Sequence, residues 1–148
     1  MIEFVIETVI ERPVGEVFAY VTDPARLSSW QANTVSVVRE TDGPLGLGTR
    51  LREVHRGPGG TEFPSLVEVS EFERGRRFAL HVLEGALPID ARIDFDAVEP
   101  GTRMRFAASG QPRGALRLLA PLLRRALRRQ FDGDCATLKR VLEQTQGA

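Results

Sequence analysis

One acid and one imidazole stand where they could act together. Glu53 and His55 lie two residues apart in Leu51-Arg52-Glu53-Val54-His55, a run whose alternation reads as a strand. Side chains at i and i+2 of a strand leave on the same face. Leu51, Glu53 and His55 therefore share one face, and Arg50, Arg52, Val54 and Arg56 take the other. On an inward, apolar face such a pair could move a proton to or from a bound carbonyl compound. The competing reading pairs both side chains with arginines at a rim. Two further polar residues fall on an apolar helical stripe. At about 100° per residue, Asp134 lies in line with Leu116, and Gln130 lies near Leu119 and Leu123. A polar group buried there needs a partner or a ligand. For Asp134, with Gly133 beside it, a structural hydrogen bond to a short N-terminal helix or loop is the plainer reading. Trp30 offers ring area and an N–H donor, as a cavity wall or as a core anchor.

Other residues argue against familiar chemistries. His81 shares a strand face with Arg77 and should point outward. Cys135 is the single cysteine, so no internal disulfide forms, and it reads as a packing residue rather than a nucleophile. Gly57-Pro58-Gly59-Gly60 reads as a hairpin turn; no helix or lysine follows as a phosphate loop requires. There is no metal-ligand spacing, serine triad or dinucleotide fingerprint, so neither metal nor cofactor is expected. Arg124-Arg125 and Arg128-Arg129 form a basic band beside Leu118, Leu119, Leu122 and Leu123. Such a band is either a membrane-surface or anionic-partner site, or a solvated helix face.

The elements that must position these residues follow from periodicity. Met1 to Ile10 alternates, with Ile2, Phe4, Ile6, Thr8 and Ile10 on one face. Pro13 opens a short helix carrying Val14, Val17, Phe18 and Val21. Asp23 caps a second short helix that runs to about Trp30. Six strands follow, at 33–40, 48–56, 61–72, 76–84, 87–97 and 102–110, separated by glycine- and proline-rich turns. Short turns between consecutive strands imply an antiparallel meander. Pro64 marks an edge or a bulge. From Arg113 to Gln144 a helical stripe runs through Leu116, Leu119, Ala120, Leu123, Leu127, Phe131, Leu138 and Val141, and Pro121 kinks the helix or marks its start.

The 148 residues fit one domain, 1–148, with ordinary apolar and charged fractions. Zero formal net charge argues against a general nucleic-acid binder. No secretory signal and no apolar run of membrane-spanning length is visible, so a cytoplasmic location without integral membrane association is expected.

Several short motifs, in order, carry a resemblance. Pro13-Val14-Gly15-Glu16-Val17-Phe18, Asp23-Pro24 through Ser29-Trp30, and Leu47-Gly48-Thr49-Arg50 are three of them. Glu71 through Phe78, Pro100-Gly101-Thr102-Arg103-Met104, and Leu138-Lys139 to Glu143 complete the set. Together they resemble the SRPBCC superfamily, the START-related and birch-pollen-allergen-like helix-grip proteins, and within it the polyketide cyclase/dehydrase-like branch. The resemblance implies an α+β helix-grip fold: a seven-stranded curved antiparallel sheet, two short helices, and a long C-terminal helix enclosing a cavity. It further implies an apolar small-molecule ligand of lipid, polyketide or aromatic type. By inward parity, Leu51, Phe63, Val67, Leu80, Ile93, Met104, Phe106, Leu123 and Leu127 should line the pocket, with Trp30, Gln130 and Asp134 at its polar points. A binding module is the expected function. The alternative is a cofactor-free cyclase or dehydratase using Glu53 and His55 as catalytic groups. A homodimer is left open.

Overall fold

The computed structural model describes residues 1–57, 60–85, 87–112 and 114–144. Its seven strands are β1 (Ile2–Ile10), β2 (Thr34–Arg39), β3 (Arg50–Arg56), β4 (Glu62–Glu73), β5 (Arg77–Gly85), β6 (Ile89–Val98) and β7 (Gly101–Gly110). They form one antiparallel curved sheet in the order β1-β7-β6-β5-β4-β3-β2. Helix α1 (Val14–Val21) and a 3-10 turn (Pro24–Ser29) connect β1 to β2, and a second 3-10 turn (Gly114–Leu119) leads into α2 (Ala120–Gln144). Asp23 caps the first 3-10 turn by accepting from the Ala25 N–H. The glycine turn expected at 57–60 lies partly outside the described residues, which omit Pro58 and Gly59. The expected helix start at Arg113 lies outside them too.

Alternation sets the inner face. The β1 register places Phe4 opposite Ala108, Ile6 opposite Phe106 and Thr8 opposite Met104. Phe106 then faces Ile93, and Ile93 faces Phe78. Cross-strand partners share a side of the sheet, so these residues build one apolar layer. The outer face is ionic: Arg77 donates to Asp94 at 2.8 Å and lies 3.2 Å from Glu71. Two register shifts, at Leu66/Val67 and Val69/Glu71, interrupt the pairing of β4 with β5. The second adds Ser70 and reverses the parity that follows, as a bulge does. That reversal brings Phe72 to the inner face, edge-on to Phe78. Pro64 pairs with Val54 on the β3 side but lies beyond the last β4–β5 pair, Ser65 with Gly85, so its missing N–H costs no bond there.

The two helical parts cover different regions. Phe18 of α1 packs edge-on against Phe72 and Phe95, at ring distances of 5.5 and 5.2 Å, and closes one end of the inner face. Helix α2 grips the free edge of β1. Arg124 donates to the carbonyl of Glu3, Lys139 donates to that of Val9, and the Glu11 N–H donates to Glu143. From Arg124 to Glu143 a helix rises about 28 Å, and from Glu3 to Glu11 a strand spans about 26 Å. The helix therefore tracks β1 along its length and occupies backbone groups that an exposed edge would leave open to aggregation. Phe131 seats the helix on the sheet, 4.9 Å from the Phe106 ring and 5.9 Å from Phe4.

Pro121 marks the true start of the helix, one residue after Ala120. The stripe expected to begin earlier is broken there. Leu119 is 46 % exposed, because the 3-10 turn that precedes α2 does not keep the helix's phase.

Candidate functional site

Strand β3 delivers Glu53 and His55 to the inner face, as their spacing requires. His55 Nε2 lies 2.9 Å from Glu53 Oε1. The registers set Glu53 opposite Ser65 of β4 and Val37 of β2, and His55 opposite Phe63 and Thr34. Thr34 Oγ1 lies 3.4 Å from His55 Nδ1 and donates to Gln31 Oε1 at 2.7 Å. Nδ1 of His55 thus faces a hydroxyl whose own proton is directed at Gln31. Nε2 faces the carboxylate oxygen of Glu53, and which atom donates follows the imidazole tautomer.

Asp134 reaches the same region from α2. Its Oδ1 accepts from the Ala32 N–H at 3.1 Å, in the loop between Trp30 and β2. Burial raises the Asp134 carboxyl above its ordinary range, against the opposing effects of the Ala32 bond and the charge of His55. Trp30, Glu53 and Asp134 are only 2, 5 and 3 % exposed. Each leaves one buried polar atom unpartnered: Trp30 Nε1, Glu53 Oε2 and Asp134 Oδ2. Buried polar atoms are normally satisfied, so each orphan marks a place where a partner is missing. Asp134 and Glu53 are linked through His55, and Trp30 stands two residues before Ala32.

The inner face beside this cluster is not fully covered. Leu80, Ile89 and Ala91 of the sheet, and Leu123 and Leu127 of α2, are only partly buried, as are Ser65 and the imidazole of His55, whose side chain is 37 % exposed. At the closed end, by contrast, Phe78, Ile93, Phe95 and Met104 are buried. An open cleft of about 770 Å3 lies at the uncovered end, lined by Met1, Pro88, Gln111, Pro112, Gly114, Arg117 and Ala120.

The residues expected to line a pocket divide accordingly. Leu80, Leu123 and Leu127 border the uncovered inner face, and Gln130 is half-buried on the same helix. Leu51, Val67, Ile93, Met104 and Phe106 face inward but are buried in packed structure. Phe63 has the inward parity and yet is 41 % exposed, at the margin where β4 has outrun β5; its ring lies against Gly57. The end cleft is lined by none of them. Gln31, Ala32 and Thr34 are site residues that sequence reasoning did not find. They join the cluster through a loop whose placement depends on α2, and no periodic signal marks them.

His81 points outward, as expected, with Nδ1 2.9 Å from Asp90. Cys135 is buried and its thiol is pushed up to about 12, chiefly by burial, which removes it as a nucleophile. Among the described residues, no group of three or more potential ligands is placed to hold a metal ion, and no helix is long and apolar enough to cross a membrane.

A curved sheet gripped along one edge by a long helix, with its inner face left partly accessible, is the architecture of a helix-grip protein. Residues 1–143 match the family described as polyketide cyclase / dehydrase and lipid transport, and the chain belongs to that family. Solved structures agree on the fold. A protein from Thermus thermophilus superposes with a TM-score of 0.83 at 19 % identity, over 98 % of this chain and 99 % of that one. A Nitrosomonas europaea protein gives 0.74 at 18 % identity, over 99 % and 97 % of the two chains. Ara h 8.0201 gives 0.73 at 12 % identity, over 96 % and 97 % of the two chains, and shares the fold. No curated protein matches the sequence.

Proposed function

We propose that the chain binds an apolar small molecule carrying a hydroxyl or carbonyl at one end. The observation that carries this reading is the set of three buried, unpartnered atoms, Trp30 Nε1, Glu53 Oε2 and Asp134 Oδ2, beside an apolar face that solvent still reaches. The indole supplies a donor and the carboxylates supply acceptors. A hydroxyl can answer both kinds of group, while the ligand body lies against Leu80, Ala91, Leu123 and Leu127. Half-exposed His55 stands at the approach to Glu53, so the polar end enters past it. The family's description, which names polyketides and lipids, agrees with an apolar body.

Trp30 is the only tryptophan, so its fluorescence reports on the cluster directly. Titration with 1-naphthol as probe should change that fluorescence saturably. Ala91→Trp, which fills the uncovered face, should abolish the effect when emission is followed at the probe. Native mass spectrometry of protein from its own cells should show a bound apolar molecule. No co-purifying molecule, together with no saturable response to the probe, refutes the reading.

A second reading rests on the 2.9 Å contact between Glu53 and His55. An acid and an imidazole in such contact can act as general acid and base toward a bound carbonyl compound, giving a cofactor-free cyclase or dehydratase. Glu53→Gln separates the two. Under the enzyme reading it abolishes turnover and leaves affinity within about a few fold. Under the binding reading affinity alone changes.

A further inference from the structure

We propose that the second 3-10 turn and the first turns of α2 form a docking surface for an anionic lipid bilayer. Three leucines there are left open to solvent: Leu118, Leu119 and Leu122 are 86, 46 and 63 % exposed. Directly behind them Arg124, Arg125, Arg128 and Arg129, with Pro121, line an open cleft of about 490 Å3. Among the described residues, none of Arg117, Arg125, Arg128 and Arg129 has a carboxylate partner; Arg124 donates to the Glu3 carbonyl, and Asp132 is the acid at the cleft's far side. Residues 111–131 hold six arginines and no acid, in a chain of zero formal net charge, so the rest of the molecule is net acidic.

This arrangement favours a membrane over other polyanions. Nucleic acid would use the guanidinium groups and leave the leucines in water. A bilayer surface uses both: the leucines enter the headgroup and acyl boundary while the arginines meet lipid phosphates. Arginine suits phosphate through its planar fork of donors. The net acidic remainder of the molecule would be repelled by the same surface, which orients the protein with this end down. The open cleft beside Arg117 and Ala120 lies at the same end, so docking would set it against the lipid. The surface does not depend on the polar cluster around Glu53, and it is tested with no ligand added.

Flotation of the full chain with vesicles provides the test. Vesicles of phosphatidylcholine with roughly one third phosphatidylglycerol should recruit the protein at least about tenfold better than phosphatidylcholine alone, and added salt should weaken recruitment. The double variants Leu118→Ser/Leu122→Ser and Arg125→Glu/Arg129→Glu should each lower partitioning at least about tenfold. Their melting temperatures should stay within about 2 °C of the parent, since surface changes of this kind cost little. Arg125→Lys/Arg129→Lys should retain most of the binding. Equal recruitment to both vesicle types, parental binding by either double variant, or retention on immobilised heparin with none on vesicles would overturn the proposal.

Discussion

Replacing Asp134 by asparagine should make the unliganded protein more stable and the liganded one weaker. The amide keeps the bond from the Ala32 N–H through its oxygen, so the loop between Trp30 and β2 stays attached. What disappears is a buried charge whose second oxygen has no partner. Leaving such an acceptor unsatisfied costs about 1–3 kcal/mol. The new amide nitrogen is itself unpartnered, so the lower end applies, a gain of about 1 kcal/mol. For a domain of this size that corresponds to about 3 °C in melting temperature.

The sign of the pH dependence follows from burial. Asp134 holds its proton more tightly in the fold than in the unfolded chain. A raised carboxyl stabilises the fold only while protonated, and that contribution is lost as pH climbs from the ordinary aspartate range through the raised value. Asparagine has no such dependence. Its advantage should therefore be full near pH 7 and shrink toward zero on acidification to about pH 4. Differential scanning calorimetry of the two proteins across that range measures it. In the liganded state the loss of a charge-assisted bond of about 1.5–3 kcal/mol should weaken binding by about tenfold or more. A variant that melts lower than the parent near pH 7, or a difference that does not change with pH, would show that a partner already compensates the carboxylate and would remove Asp134 from the site.

Two further outcomes test the surroundings. Cys135, with its thiol near 12 and buried beside Thr8, should resist a thiol reagent at about pH 8 in the native state and react at a rate set by unfolding; prompt labelling would contradict its packing. Glu143 is held below the usual carboxylate range, first by its bond from Lys139 and then by that from the Glu11 N–H, so its contribution is present near neutrality and lost as pH falls through its lowered value. Because the pair is partly exposed, Glu143→Gln should cost no more than about 1 kcal/mol near pH 7 by chemical denaturation; a larger loss would mean that the edge of β1 depends on this one clasp.

The strands were legible because their two faces differ. Ile2 to Ile10 and Ile89 to Phe95 alternate without interruption, and a period of two leaves little freedom of register once one face is buried. The same regularity put Glu53 and His55 on the inner face, and the 3.6-residue period put Asp134 inward on α2. What the sequence hid is what parity and pitch do not encode. The bulge at Ser70 sends Phe72 inward by adding one residue to one strand, and nothing in Val69-Ser70-Glu71 announces it. Phe63 obeys parity but lies where β5 no longer pairs with β4, so its exposure depends on the length of a neighbouring strand. The meeting of Ala32 with Asp134 spans most of the chain. It follows only from the path of α2 along β1, which the two polar ends of the helix set through Arg124, Lys139 and Glu143.

That path also explains why a polar cluster can persist in this fold. A helix laid across the middle of the sheet would cover Leu80 and Ala91 and fill the space beside Glu53 with its own side chains. Here the backbone bonds to Glu3, Val9 and Glu11 hold α2 to the β1 edge, and Phe131 spaces it from β7. The inner face of β3 to β6 is left with less helix than it has apolar surface. The orphaned atoms of Trp30, Glu53 and Asp134 each cost stability in the empty protein, and under the proposed reading each gains a partner when a ligand arrives. Loosening the clasp would therefore be expected to act on binding as well as on stability, since it lets α2 settle over the face it now leaves open. Removing the polar cluster would instead stabilise the empty protein and leave the open face intact.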